Sequence, residues 1–169
     1  MNKLIVLAII ICAALTRIMP HPPNFTPIIA LGLFGGAYLK DNRLVILFPL
    51  LAMFLADIFL GFHNTMIWVY GSLIGISLLG TLLKNRVSFI NGSLASLGGS
   101  LFFFISTNFG VWISSAFYPK TFNGLLSCYV AGIPFFSNTL ISSLVYTGIM
   151  FFGYELILRN IFFEAPDTV

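Results

Sequence analysis

Charge is nearly missing from this chain. Asp, Glu, Lys and Arg together make up 8% of its 169 residues, about a third of their share in an ordinary soluble domain, which excludes a soluble globular fold. Acids are scarcer than bases, 5 against 8, and the formal net charge is +3. That excess calls for no nucleic-acid partner, because in a membrane protein a basic surplus mainly reports topology. Only two cysteines occur, Cys12 and Cys128, both in apolar runs, and they read as small buried hydrophobes rather than a disulfide. Catalytic signatures are missing as well. There is no G-x-S-x-G, no H-E-x-x-H and no pair of carboxylates sharing a site, so no enzyme activity is expected. General acid–base chemistry by Asp57 with His21 or His63 stays chemically open. No Walker or G-x-G-x-x-G loop is present. No cofactor is therefore expected, and active transport would draw its energy from partners or an ion gradient.

What the chain has in abundance is apolar length. Hydrophobic residues make up 59%, with 19 phenylalanines and a mean hydropathy of +1.02. About 20 apolar residues cross a bilayer, and the pattern predicts an all-α membrane protein, one domain built as a bundle of about six transmembrane helices. The expected spans are 4–18, 25–39, 44–60, 66–83, 89–113 and 137–158. The opening "MNKLIVLAIIICAALTR" has Arg17 where a signal peptidase would need small residues, so it reads as a retained first helix. Segment 125–136, in a stretch broken by Pro119, Gly124, Gly132 and Pro134, reads as a half-helix or re-entrant stretch, which proteins tolerate where other protein or water covers the backbone. A full crossing there would raise the count to seven and move the C-terminus to the other side. With six spans and both termini cytoplasmic, Lys3, Lys40, Arg43, Lys84, Arg86 and Arg159 lie inside, and Arg17 and Lys120 outside. That distribution follows the positive-inside rule.

On this topology the polar side chains gather at one end. Arg17, His21 and Asn24 belong to the elbow "TRIMPHPPNFTPIIA", whose Pro20, Pro22, Pro23 and Pro27 stiffen the crossover between the first two helices. Asp57 lies near the outer end of the third span, followed by His63 and Asn64. Trp68, Asn108, Trp112, Tyr118, Asn123, Tyr129 and Asn138 share that end. A carboxylate inside a span costs roughly 2.5–3.5 kcal/mol on insertion scales, so Asp57 has two readings: a ligand or proton site, or a structural ion pair with Arg17. His21 and His63 with Asp57 have no diagnostic metal spacing, and ordinary interfacial hydrogen bonds are the preferred reading, with no metal site. Trp68, Trp112, Tyr118 and Tyr129 suit an interfacial aromatic belt. Asn108 and Asn138, amides among phenylalanines, need partners. The glycines of "GLFGG" and "GSLIG" offer small faces for close helix packing within the bundle.

The stretches "RIMPHPPNFTPIIALGLFGGAYL", "LADIFLGFHNTM" and "TNFGVWISSAFYPKTFNGLLSCYVAGIPFFSNTL", with a closing "SLVY", together resemble a largely uncharacterised family. Its members are small bacterial inner-membrane proteins described as candidate transport proteins. More distantly, the size, six-helix plan and one-sided polar cluster look like the substrate-binding S-components of energy-coupling factor transporters. This wider resemblance implies a bundle in the bacterial inner membrane that captures a small water-soluble, vitamin-like nutrient from the extracytoplasmic side. A separate transmembrane coupling protein with ATPases would then release it inside. Docking in that family uses an A-x-x-x-A face on the first helix, and the nearest equivalent is Ala8 and Cys12, with cysteine in place of the second alanine. The expected substrate-binding residues are Arg17, His21, Asn24, Asp57, His63, Asn64, Asn108, Trp112, Tyr118 and Asn138. A facilitator channel, or a structural or assembly subunit of a larger membrane complex, are the competing readings.

Overall fold

The computed structural model describes the backbone of residues 3–163 and the side chains of residues 5–156. Six α-helices and no strand occur among the described residues: α1 Lys3–Ile18, α2 Ile28–Tyr38, α3 Asn42–Leu60, α4 Met66–Thr81, α5 Phe89–Ser114 and α6 Phe122–Phe163. The side chains of Lys3 and Arg159, and both chain ends that were expected to be cytoplasmic, lie outside the described residues.

Three of the expected six spans change in character. The helices long and apolar enough to cross a membrane are Asn42–Leu60, Phe89–Ser114 and Phe122–Leu156, whereas α1, α2 and α4 are shorter apolar helices. The eleven residues of α2 rise only ~16 Å at 1.5 Å per residue, about half the ~30 Å hydrocarbon core. Its surroundings explain the length. Every residue from Ile28 to Gly36 is buried, and α2 packs on α3, α4, α5 and α6, so protein rather than lipid solvates it.

The second correction concerns 125–136. No half-helix or re-entrant break exists there, because α6 runs on through Gly132 and Pro134 as one continuous helix. A proline costs one helical hydrogen bond and a clash with the preceding turn. The helical ladder resumes on either side, and Pro134 lies on the exposed face of α6, away from the core packing. Pro49 also lies inside a continuous helix, on the buried face of α3.

Local chemistry sets the helix ends. The Asp41 carboxylate accepts from the Arg43 amide at 2.8 Å and caps α3. Ser88 accepts from the Asn91 amide at 3.1 Å and caps α5. Gly61, with φ +94, closes α3 in backbone space that side-chain-bearing residues rarely enter. Two glycines let α2 and α4 touch backbone to backbone. A Cβ on Gly36 would collide with the Ser77 carbonyl and stand 2.7 Å from the Gly80 Cα, and one on Gly80 would stand 2.8 Å from the Leu33 Cα. The glycine faces thus serve packing inside the bundle, although Gly71 of "GSLIG" meets open space.

Pairings along the bundle sort its two ends. Arg17 reaches Asp57, Trp68 packs on Gly110 and Asn138 bonds Pro23, which assembles one end around the elbow. Tyr38 bonds Glu155 at the other, the end that also carries the α2–α3 and α4–α5 turns.

Candidate functional site

A short central helix leaves room above its own start. The α2 helix begins at Ile28, and beyond that level α5 and α6 continue toward the loop at Ser115–Thr121. Between their extensions, the elbow and the α3–α4 loop lies a cavity of about 430 Å³, within the range of small-molecule sites. Arg17 from α1, Asn24 from the elbow, His63 from the α3–α4 loop, Asn108 from α5 and Tyr118 from the α5–α6 loop all line it. Its apolar wall comes from Met53, Val69, Phe103, Phe104, Phe135 and Phe136, with the Phe104 and Phe136 rings 4.8 Å apart. A recess of about 30 Å³, lined by Arg17, Asn24, Thr26 and Ser142, lies next to it.

The elbow is strapped down rather than merely stiff. Asn24 takes φ 62, a left-handed conformation that asparagine tolerates better than most residues. Its carbonyl accepts from the Ser142 hydroxyl at 3.4 Å, and the Pro23 carbonyl accepts from the Asn138 amide at 3.0 Å. His21 is exposed and sits against the Arg17 and Pro22 carbonyls, bracing the elbow from outside the cavity.

Arg17 and Asp57 are paired, but unequally. Arg17 Nη2 donates to Asp57 Oδ1 at 3.4 Å, while the Tyr70 hydroxyl donates to Oδ2 at 2.8 Å. Both carboxylate oxygens are therefore engaged, and the Asp57 side chain is only 2% exposed, away from the cavity surface. The Arg17 side chain keeps 20% exposure, and its buried Nε has no hydrogen-bond partner among the described residues. A buried donor left unmatched costs about 1–3 kcal/mol, while the exposed part of the side chain borders the cavity. The arrangement presents a cation aimed by, but not saturated by, its counter-ion.

Asn108 is held as firmly. Its Nδ2 donates to the Phe104 carbonyl at 2.8 Å, and its Oδ1 lies over Gly132, where a Cβ would collide with it. His63 Nδ1 pairs with Thr65 Oγ1 at 2.8 Å. Other residues picked from sequence lie at this end but outside the cavity. Trp112 donates from its indole to the Pro119 carbonyl at 2.9 Å, with Lys120 over its ring at 5.6 Å. Asn64 is exposed, and Asn138 serves the elbow.

The wall contributed by α6, namely Cys128, Gly132, Phe135, Phe136 and Thr139, escaped sequence reading. Their spacing of four, three, one and three is one helical face, and that signal was hidden by treating 125–136 as a break. Thr107 of α5 was missed for lack of any distinguishing motif. Ala8 and Cys12 lie elsewhere, in an apolar groove of about 380 Å³ between α1, α2 and α6. Both cysteines are free, Cys128 buried and Cys12 exposed.

No curated protein and no solved structure matches the chain. The family of unknown function DUF6580 matches residues 1–165, and the chain belongs to that family.

Proposed function

We propose that this protein is a substrate-binding transport component that lies in a bacterial inner membrane with its elbow end extracytoplasmic. All six helices would be embedded, with the short α2 shielded by its neighbours in the manner of an S-component-like bundle. The observation that carries the reading is the 430 Å³ cavity at which Arg17, Asn24, His63, Asn108 and Tyr118 meet an aromatic wall. Few precisely placed polar groups over an apolar lining are the mark of a small-molecule site.

The ligand class follows from the side chains. Arg17, held by a single 3.4 Å contact and still one-fifth exposed, suits a carboxylate or carbonyl group. Phe104 and Phe136 suit a flat apolar part, and Asn24 and Asn108 sit where neutral polar groups would be read. A small, water-soluble, vitamin-like nutrient fits that description. Asp57 orients Arg17 and is not itself a contact. An elbow held by Asn138 and Ser142 lowers the ordering cost of capture.

Native mass spectrometry of the detergent-purified protein tests this directly, with a co-purified small molecule expected. Arg17→Ala should lose that molecule while the protein remains inserted and folded, and Arg17→Lys should retain it weakly, because a lysine offers no planar fork. A ligand carried unchanged by Arg17→Ala would refute the assigned role of Arg17. A protein that never carries one would favour an assembly subunit.

A further inference from the structure

Beneath the cavity, the interface of α5 and α6 is lined by buried hydroxyls. Ser96 Oγ donates to Thr147 Oγ1 at 2.8 Å, and the Ser100 and Ser143 hydroxyls lie 2.7 Å apart. Ser96, Ser100 and Ser143 are wholly buried, and Thr139, Ser142 and Thr147 nearly so. Such interhelical bonds contribute only about 0.6 kcal/mol each in membrane proteins, so stability alone is a weak reason to line a seam with them.

Their order is more telling. Thr139 lines the elbow-end cavity, and Ser142 lines the recess beside it. Ser96 and Thr147 line a second cavity of about 350 Å³ at the far end, which Glu155 also borders. Glu155 accepts from the Tyr38 hydroxyl at 2.9 Å, as Asp57 does from Tyr70 at 2.8 Å. The far cavity is therefore bordered by a carboxylate, whereas the elbow-end cavity is bordered by the Arg17 cation. From Thr139 to Thr147 is eight residues of α6, ~12 Å at 1.5 Å per residue. The closed stretch between the two cavities is thus well under half the ~30 Å hydrocarbon core.

We infer that the α5–α6 seam is the route by which the solute leaves the elbow-end cavity for the Glu155 cavity, with the Ser100–Ser143 rung as its gate. This inference rests on the transport reading above. Neutral hydroxyls both donate and accept, so the path suits a small solute rich in hydrogen-bonding groups rather than a bare ion. The two ends differ in charge, with Arg17 at the capture site and Glu155 at release, which lets an anionic group bind first and be repelled last.

Single cysteines introduced into a Cys12→Ala/Cys128→Ala background, reconstituted in liposomes, test this with a charged, water-soluble methanethiosulfonate reagent. Thr107→Cys reports the cavity wall, Ser143→Cys the gate, and Ala52→Cys a site in α3 that is equally buried but outside the seam. The expected result is fast labelling at 107 and labelling at 143 at least tenfold faster than at 52. Ser100→Cys, on the facing helix, gives an independent report and should match 143. Labelling at 107 with 143 and 100 as protected as 52 would overturn the seam and leave the cavity standing. Protection at 107 as well would overturn both, because the cavity itself would then be closed to water.

Discussion

The Gly132→Ala substitution isolates the part of the site that geometry makes most demanding. The new methyl carbon would collide with Asn108 Oδ1 and stand 2.9 Å from both Asn108 Cγ and Phe104 Cε2. Neither neighbour yields freely, since the Asn108 amide is tied to the Phe104 carbonyl at 2.8 Å and the Phe104 ring is wedged against Phe136. Overpacking of this kind costs about 1–3 kcal/mol, and losing the hydrogen bond from the Asn108 amide to the Phe104 carbonyl adds about 1 kcal/mol. Alanine's helix propensity returns about 1 kcal/mol, leaving a net loss of roughly 1–3 kcal/mol. Gly148→Ala is the matched control in the same helix, because nothing lies within 4 Å of its added carbon. There the propensity gain of about 1 kcal/mol acts alone. At about 2–4 °C per kcal/mol for a chain of this size, Gly132→Ala should lower the Tm by roughly 2–12 °C and Gly148→Ala raise it by about 2–4 °C. Thermal unfolding in detergent, followed by tryptophan fluorescence or a thiol-reactive dye, reads both. Equal shifts for the two variants, or a rise for Gly132→Ala, would refute the packing described around Asn108. Ligand retention should fall with Gly132→Ala and stay unchanged with Gly148→Ala.

Other expectations follow from the same contacts. Asp57→Asn leaves Arg17 without its counter-ion; given the single 3.4 Å contact and one-fifth exposure, the loss should be about 2 kcal/mol, below the 3–5 kcal/mol of a fully buried pair. Adding Arg17→Gln should recover part of that loss in the unfolding midpoint, and no recovery would argue against the pairing. Asn138→Ala removes the bond to the Pro23 carbonyl, which should cost about 1 kcal/mol and speed hydrogen exchange at the elbow, whereas unaltered exchange would show that α6 does not hold it. Gly36→Ala forces α2 and α4 apart at their closest approach and should abolish a cooperative unfolding transition, while Gly71→Ala, with open space around it, should not.

The grouping of Arg17, Asn24, His63, Asn108 and Tyr118 at one end was legible in the sequence, because apolar runs of countable length alternate the ends at which polar residues fall. Which of them face inward was not. Asp57 and Arg17 read as equals, yet Asp57 is consumed by Arg17 and Tyr70 and only Arg17 reaches the cavity. Trp112 and Asn138 carry groups as capable as those of Asn108, but their partners turn out to be the Pro119 and Pro23 carbonyls. Side-chain direction depends on how a helix is rotated against its neighbours, a choice made by packing and invisible to hydropathy.

Composition alone determined that this chain is helical and apolar, since a 59% hydrophobic sequence with 8% charge can satisfy its backbone in an oily environment chiefly by making helices. Tertiary structure decided how long each helix is and what the chain encloses. Hydropathy measures how oily a segment is, not whether lipid or protein surrounds it, so the eleven-residue α2 read as a span when it is a buried plug. Proline reads as a break, yet α6 continues through Pro134, because a proline inside a long helix removes only one hydrogen bond of the ladder. The cavity exists because those two outcomes coincide: a central helix that stops short beside a pair that does not.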